Sequence, residues 1–303
     1  MTMTARDWGL LVLLSILWGG TFFFVSIAVR EMPPLTVVLL RVGIGAGLLF
    51  VFLRWKGEVV PKSRQIWAAF FAMGFLNNVI PFSLFFWAQT TIPGALASIV
   101  NGTTPIFSIL IAHFCLADER FTANKFAGVL LAIMGVAFLL GEEVVTGASI
   151  ATVGLLACFL AAIFQGAAVV YGRRFQQLGL TGATGALGQL LATTIIMTPI
   201  AALIEQPWSS PLPSLFGAFS ILGLAVLSTS LAYVIFFHLL ATAGAVNASL
   251  VTLLIPASAI LLGIGFLDES LFPSQMTGLG FISLGLLVVD GRILDVRWIK
   301  RGP

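Results

Sequence analysis

The sequence predicts an all-α integral membrane protein, with ten transmembrane helices arranged as two inverted five-helix repeats. Three observations predict this fold class: the composition, the long apolar segments and an internal repeat. Of the 303 residues, 59% are hydrophobic and 9% are charged, whereas soluble domains carry about 25% charged residues. Because so few charged side chains cannot cover a soluble fold of this length, the composition excludes soluble enzymes, nucleic-acid-binding modules and disordered linkers.

Ten apolar segments are candidate membrane-spanning helices, of which the fifth and the tenth are short. A helix needs about 20 mainly apolar residues to cross the hydrocarbon core, and these continuously apolar segments lack the alternation of barrel strands. The predicted spans are Trp8–Ala28, Leu35–Leu53, Ile66–Trp87, Gly94–Cys115, Phe126–Leu140, Ala151–Tyr171, Ala183–Ile204, Leu215–Leu239, Ala245–Leu267 and Met276–Val289. The first is longer than the apolar core of a secretory signal, about 7–15 residues, so we expect it to be a retained helix.

The basic residues predict the orientation. Thirteen of the 15 Lys and Arg residues lie at the amino terminus, in connections after even-numbered spans or in the carboxyl tail. Connections after odd-numbered spans contain only Arg30, and Arg41 lies inside the second span. Since basic residues accumulate in cytoplasmic loops, both termini are expected in the cytoplasm. The same distribution explains why the isoelectric point of the chain is basic, so the isoelectric point does not indicate a nucleic-acid partner.

The two halves of the chain share an ordered series of residues. At an offset of 151, Phe85-Phe86, Thr91, Ala97-Ser98 and Pro105 correspond to Phe236-Phe237, Thr242, Ala248-Ser249 and Pro256. At an offset of 150, Asp118-Glu119, Gly128 and Gly135 correspond to Asp268-Glu269, Gly278 and Gly285. We therefore predict two five-helix units, residues 1–145 and 146–303. Because five is odd, the second unit is inverted, as in secondary transporters whose substrate site lies near the membrane midplane.

Several of these residues carry a resemblance to a known family. They are the run Leu17-Trp18-Gly19-Gly20-Thr21-Phe22, Arg41 early in the second span, and Pro105 with Asp118-Glu119, repeated as Pro256 with Asp268-Glu269. With the 5+5 order of spans, the chain resembles the drug/metabolite transporter superfamily and, within it, the EamA-type exporters and their amino-acid exporter branch. The resemblance implies an alternating-access carrier of small metabolites, often amino acids, in a bacterial inner membrane.

Polar or indole side chains near the middle of spans are the candidate substrate-binding residues. They are Trp18, Asn77, Asn78, Ser98, Asn101, Gln165, Gln189, Thr229, Ser249 and Thr252. Amides, hydroxyls and rings suit a small zwitterion, although such residues also help helices pack. Ser98, Asn101 and Pro105 fall on one helical face, which predicts two opposite cavity walls and a hollow beside Asn101 and Thr252. The adjacent amides Asn77 and Asn78 are not expected to share a face.

Five residues are candidates for gating or hinge roles: Arg41, Pro105, Pro256, Tyr233 and His238. A midspan proline frees a backbone carbonyl and marks a bend. A charge inside the membrane indicates function, so Arg41 is expected to act in a gate or attract a carboxylate, unless it extends outward or meets Glu31. Tyr233 is expected in a gate or in the interfacial belt.

The acidic residues predict the transport mechanism. None of the 12 Asp and Glu residues lies in the middle of a span, although proton relays usually use buried acids or histidines. We therefore expect a facilitative, ATP-independent carrier that exports small metabolites, amino acids above all. A sugar-nucleotide or phosphate-ester exchanger would need more Arg and Lys donors; a multidrug exporter and a structural scaffold remain alternatives.

The sequence contains no motif for metal or covalent catalysis. We expect no enzyme, no catalytic residue, no metal and no cofactor, and the expected partners are a small-molecule substrate and the lipid bilayer. The oligomeric state is open, and a monomer is compatible with the sequence. Gly128 and Gly135, with Gly278 and Gly285, predict close helix contacts within the chain or between copies.

Overall fold

The computed structural model describes residues 3–116, 123–146, 150–248 and 250–290. Ten principal helices occupy these residues: α1 Ala5–Ala28, α2 Pro34–Trp55, α3 Arg64–Ala88, α4 Gly94–Cys115, α5 Ala123–Thr146, α6 Ile150–Tyr171, α7 Gly182–Ile204, α8 Leu215–Thr242, α9 Val251–Leu267 and α10 Pro273–Asp290. Seven of the described helices are long and apolar enough to cross a membrane, and three shorter apolar helices lie in α5, α9 and α10. The all-α membrane fold is therefore confirmed.

The predicted span boundaries agree closely with the helices. The largest differences are at the end of α5, which continues to Thr146 instead of ending at Leu140, and at the start of α9, which begins at Val251 instead of Ala245. A short helix that was not predicted follows α6 at Arg173–Gln177, and Ala245–Ala248, predicted as the start of the ninth span, forms a short helix of its own before α9. Apolar length fixes where a span lies, whereas the polar ends of helices carry little hydropathy signal.

Two of the spans contain π-helical turns near their middle. In α3 the π-helical turn covers Phe75–Val79, and in α8 it covers Gly223–Leu231. Pro81 contributes to the turn in α3 because it has no N–H to donate to the carbonyl of Asn77. Such turns are common at functional sites, and these two place polar residues at mid-helix.

Helix α4 is interrupted, which corrects the predicted continuous face. It consists of Gly94–Asn101 and Thr104–Cys115, separated by a turn. Pro105 is consequently the second residue of the latter helix and not a midspan bend, whereas Pro256 does lie inside α9. A Cβ atom on Gly102 would be 3.5 Å from Pro256 Cγ, so α4 and α9 touch here instead of forming opposite walls.

Helices α5 and α10 pack along each other through their glycines. A Cβ atom on Gly128 would be 2.5 Å from the carbonyl oxygen of Gly285. A Cβ atom on Gly135 would be 2.6 Å from that of Gly278. Small residues allow this close approach, and the predicted contact forms within one chain.

Several other helix contacts come in corresponding pairs. Helix α1 packs on α9, and α6 packs on α4. Helix α2 contacts the π-helical part of α8, and α7 contacts that of α3. Helices α2 and α7 also contact each other, as do α5 and α10. In each of these pairs, the two contacts involve helices that are five places apart in the series α1–α10.

Candidate functional site

A layer of polar contacts joins α3 to α7 near the middle of the bundle. Asn77 Nδ2 donates to Gln189 Oε1 at 3.1 Å, and Asn78 Nδ2 donates to Thr193 Oγ1 at 3.0 Å. The expectation that the two adjacent amides cannot share a face is therefore wrong. Both face α7, because the π-helical turn departs from the regular α-helical spacing.

The equivalent layer between α2 and α8 contains a charge. Arg41 Nε donates to Thr229 Oγ1 at 3.0 Å, and the Thr229 hydroxyl donates to the carbonyl of Leu224 at 2.8 Å. The helices approach closely at this level, since a Cβ atom on Gly45 would be 2.8 Å from Thr229 Cγ2. Arg41 is thereby fixed at the contact between α2 and α8.

Aromatic rings surround the Arg41 guanidinium. Its Cζ atom lies 4.1 Å from the ring centroid of Phe82 and 5.7 Å from that of Phe86. The side chain is 5% exposed, so it does not extend outward to solvent. The other expectation, a contact with Glu31, is also wrong, because Glu31 accepts hydrogen bonds from Ser214 at the start of α8.

More rings follow on α1 and α8. The rings of Trp18 and Phe236 lie 5.3 Å apart. Tyr233 stacks on Phe237 at 5.9 Å, and Phe236 packs edge-on against Phe237 at 5.5 Å. Trp18 and Tyr233, two of the predicted site residues, are thus joined through a continuous aromatic cluster.

A cavity of about 370 Å³ opens between α1, α2, α7 and α8. Its lining residues are Arg6, Leu10, Leu49, Phe52, Leu53, Lys56, Glu58, Ala183, Val234, Ile235, Phe237 and His238. The cavity lies at the end of the bundle where α2 ends and α7 begins, here called the Glu58 face. Neither Asn101 nor Thr252 lines it, so the hollow differs in place from the one predicted beside those residues.

Three carboxylates cap helix starts at the opposite end of the bundle, here called the Glu31 face. Glu205, which follows α7, accepts hydrogen bonds from the backbone N–H groups of Leu35 and Thr36 at 2.9 and 2.7 Å. Glu269 accepts from the N–H groups of Gly94 and Ala95, both at 2.9 Å. Carboxylates stabilise helix N-termini, so these contacts hold helix ends together.

Glu31 is the third of these carboxylates. It accepts hydrogen bonds from the backbone N–H of Ser214 at 2.7 Å and from its hydroxyl at 2.8 Å. Sequence reasoning missed all three roles. The sequence signal that could have predicted these helix caps is an acidic residue within a few residues of the end of an apolar span, as at Glu31, Glu205 and Glu269.

At the Glu58 face, Glu58 itself contacts the start of a helix through side-chain hydroxyls. Glu58 Oε2 accepts from the hydroxyls of Thr184 at 2.7 Å and Thr181 at 3.1 Å, at the start of α7. Asp7 Oδ1 accepts from the hydroxyl of Thr242 at 3.1 Å. The helix ends at this face are therefore joined through side chains around an open cavity.

None of the predicted substrate-binding residues that the structure describes lines this cavity. Ser98 is fully buried and its hydroxyl donates to the carbonyl of Ala95 at 2.6 Å. Gln165 Oε1 accepts from the Thr104 hydroxyl at 3.4 Å. Asn101 and Thr252 are half-buried, and Ser249 lies outside the described residues.

Known proteins resemble this chain along nearly its whole length. The model of the EamA-like transporter family matches it twice, over residues 8–141 and 152–289. The chain belongs to the EamA-like transporter family. This membership confirms the predicted superfamily and the transporter class; the amino-acid exporter branch stays a prediction.

Individual relatives are similar at moderate identity. Protein PecM of Dickeya dadantii is 28% identical over 290 residues, covering 94% of this chain and 93% of that protein. The uncharacterized inner membrane transporter YedA of Escherichia coli K12 is 26% identical, covering 93% and 89%. Protein PagO of Salmonella typhimurium is 28% identical, covering 83% and 82%.

A crystal structure of another protein shares the fold. It has a TM-score of 0.68 at 21% identity, and the match covers 97% of this chain and all of the other. The family and the helices together show a multi-pass membrane transporter.

Proposed function

We propose that this transporter is a secondary carrier that exports small metabolites, amino acids above all, from bacterial cells by alternating access. The observation that carries the proposal is the difference between the two faces of the bundle. The Glu58 face contains the open cavity of about 370 Å³. At the Glu31 face, three carboxylates bind the starts of α2, α4 and α8. A cavity at one face, with helix starts bound by carboxylates at the other, is the arrangement expected of one state of an alternating-access carrier.

Two inverted five-helix units, residues 1–145 and 146–303, would provide the moving parts. The corresponding helix contacts support them, and so do the matching π-helical turns in α3 and α8. Glu58 follows α2 and contacts the start of α7, while Glu205 follows α7 and contacts the start of α2. This exchange of roles at opposite ends of one helix pair is the relation that two inverted units would produce.

The orientation follows from the basic residues. With both termini in the cytoplasm, the Glu58 face is the cytoplasmic one, and the cavity lining there includes Arg6 and Lys56. The cavity would then receive substrate from the cytoplasm, while the Glu31 face closes the exit. Because this state would bind substrate from the cytoplasmic side, the proposed direction of transport is export.

The bonded carboxylates described above support a facilitative mechanism. Glu31, Glu58, Glu205 and Glu269 all lie outside the ten principal helices and bind helix starts. A carboxylate at such a place does not provide the midspan relay that proton-coupled carriers use.

Uptake by proteoliposomes tests the proposed substrate class. Purified transporter is reconstituted, and entry of each labelled L-amino acid is compared with entry into protein-free liposomes of the same lipid. We expect saturable uptake of at least one amino acid that is not reduced by sugar nucleotides. Uptake of no amino acid would favour a structural scaffold. Inhibition of uptake by sugar nucleotides would favour the exchanger, and inhibition by organic cations would favour the multidrug exporter.

A further inference from the structure

The guanidinium of Arg41 has an unfilled hydrogen-bonding site. Its Nη1 atom is buried and has no hydrogen-bond partner among the residues that the structure describes. No carboxylate in this part of the chain pairs with the charge, whose contacts are Thr229, Phe82 and Phe86. Buried polar groups in folded proteins almost always have partners, and an unpaired charge in a membrane protein is costly.

We propose that Arg41 binds the carboxylate group of the transported molecule, an assignment that rests on the proposed transport function. The substrate class then becomes small organic carboxylates with an apolar or aromatic part. Arginine suits this role because its planar fork can donate two parallel hydrogen bonds to one carboxylate.

The surroundings of Arg41 orient it for such a ligand. The hydroxyl of Thr229 accepts a hydrogen bond from the Nε–H of Arg41, and the ring of Phe82 covers one face of the guanidinium at 4.1 Å. These contacts fix the plane of the group and leave Nη1 free. Phe86 and Phe82, themselves stacked at 5.8 Å, supply the apolar surface beside the bound carboxylate.

The layer on α3 and α7 indicates that the charge is not needed for packing. Asn78 corresponds to Thr229 at the offset of 151, and it bonds Thr193 on α7 as Thr229 bonds Arg41 on α2. A neutral threonine thus occupies the place of Arg41 in the related layer. Because the neutral pair joins its helices with an ordinary hydrogen bond, the positive charge of Arg41 needs another explanation.

Two helical faces connect the cavity to Arg41. Thr229, Tyr233 and Phe237 follow one another at four-residue steps on α8, and Phe237 lines the cavity. Leu49, another lining residue, is eight residues from Arg41 on α2, about 12 Å along the helix. A carboxylate that has entered the cavity past Arg6 and Lys56 would then move along these faces toward the guanidinium of Arg41.

Thermal unfolding of the purified full-length protein in detergent tests the site directly. The probes are benzoate and L-phenylalanine, with benzamide and L-phenylalaninamide as matched molecules that lack the carboxylate. The proteins are the wild type, Arg41→Gln, Arg41→Lys and Thr229→Val, with Arg54→Gln as a control on the same helix. We expect the two carboxylates, and not the amides, to raise the unfolding temperature of the wild type and of Arg54→Gln.

The variants decide the assignment. We expect Arg41→Gln to lose the response and Arg41→Lys and Thr229→Val to bind benzoate about tenfold more weakly. If Arg41→Gln does not fold, the other two variants carry the test. Absence of any carboxylate response in the wild type, or an undiminished response in the Arg41 variants, would overturn the assignment.

The same proteins separate this inference from the proposed function. Benzoate binding that depends on Arg41, without transport of any amino acid, would leave the carboxylate site standing and contradict amino-acid transport. Transport of amino acids with the same KM in Arg41→Lys as in the wild type would contradict the site alone.

Discussion

Glu205 binds Thr36 twice, with its Oε2 atom 2.7 Å from both the backbone nitrogen and the hydroxyl oxygen of that residue. The contact joins the end of α7 to the start of α2. At the other end of the same helix pair, Glu58 binds the hydroxyl of Thr184 at 2.7 Å. The two ends of the pair are therefore held by carboxylates from opposite halves of the chain.

Glu205→Gln is expected to weaken closure of the Glu31 face. Loss of a charged helix cap costs about 1 kcal/mol, which changes the ratio of two states roughly fivefold. The measurement is labelling of Val234→Cys, in the cavity wall, by an impermeant maleimide in inside-out vesicles, with both native cysteines replaced by alanine. Glu205→Gln should slow the labelling, because fewer molecules keep the cavity open to the cytoplasm.

Glu58→Gln is the matched control for that experiment. It removes a carboxylate of the same helix pair at the opposite face, so labelling of Val234→Cys should not slow. Equal slowing in both variants would contradict separate roles for the two carboxylates.

Gly45→Ala is expected to impair transport. The new Cβ atom would lie 2.8 Å from Thr229 Cγ2, so Thr229 must shift and its bond to Arg41 weakens. We expect KM to rise about tenfold, since hydrogen bonds to charged groups contribute at this level. Gly47→Ala, on the same helix with nothing within 4 Å, should leave uptake unchanged. Identical kinetics in the two variants would argue against the Arg41–Thr229 contact.

Gly135→Ala is expected to destabilise the α5–α10 contact. Its Cβ atom would meet the Gly278 carbonyl at 2.6 Å, and overpacking of this kind costs about 1–3 kcal/mol. Thermal unfolding in detergent should occur at a lower temperature than in Gly280→Ala, a change on α10 with nothing within 4 Å. A lower temperature for Gly280→Ala alone would contradict the described packing.

Transport is expected to need no proton gradient. Proteoliposomes with the same pH inside and outside should take up labelled amino acid at the rate measured with an imposed gradient of protons. A control with a dissipating ionophore should likewise leave the rate unchanged. Strict dependence on the imposed gradient would refute facilitated transport.

The number and the limits of the spans could be predicted because hydropathy depends on local composition. The contact of Gly128 with Gly285 was also accessible, since small residues at regular spacing favour close helices. The interruption of α4 after Asn101 was not, although Gly102 stands there, because polar and small residues in a span fit either a turn or a packed helix.

The surroundings of Arg41 depend on contacts between distant parts of the chain. Its partner Thr229 is 188 residues away, and no local pattern specifies that pairing. The π-helical turn that brings Asn77 and Asn78 to α7 was equally hidden, because a few π-helical residues leave the apolar periodicity almost unchanged. Pro81 was the one local signal that the hydrogen-bond pattern of α3 is interrupted.

Counterflow tests the central claim most directly. Proteoliposomes are loaded with an unlabelled amino acid that the transporter carries, and a trace of the labelled form is added outside. An alternating-access carrier should accumulate label transiently above its external concentration, because the returning site exchanges one molecule for another. Label that only rises to equilibrium, at a rate independent of the internal load, would contradict the account.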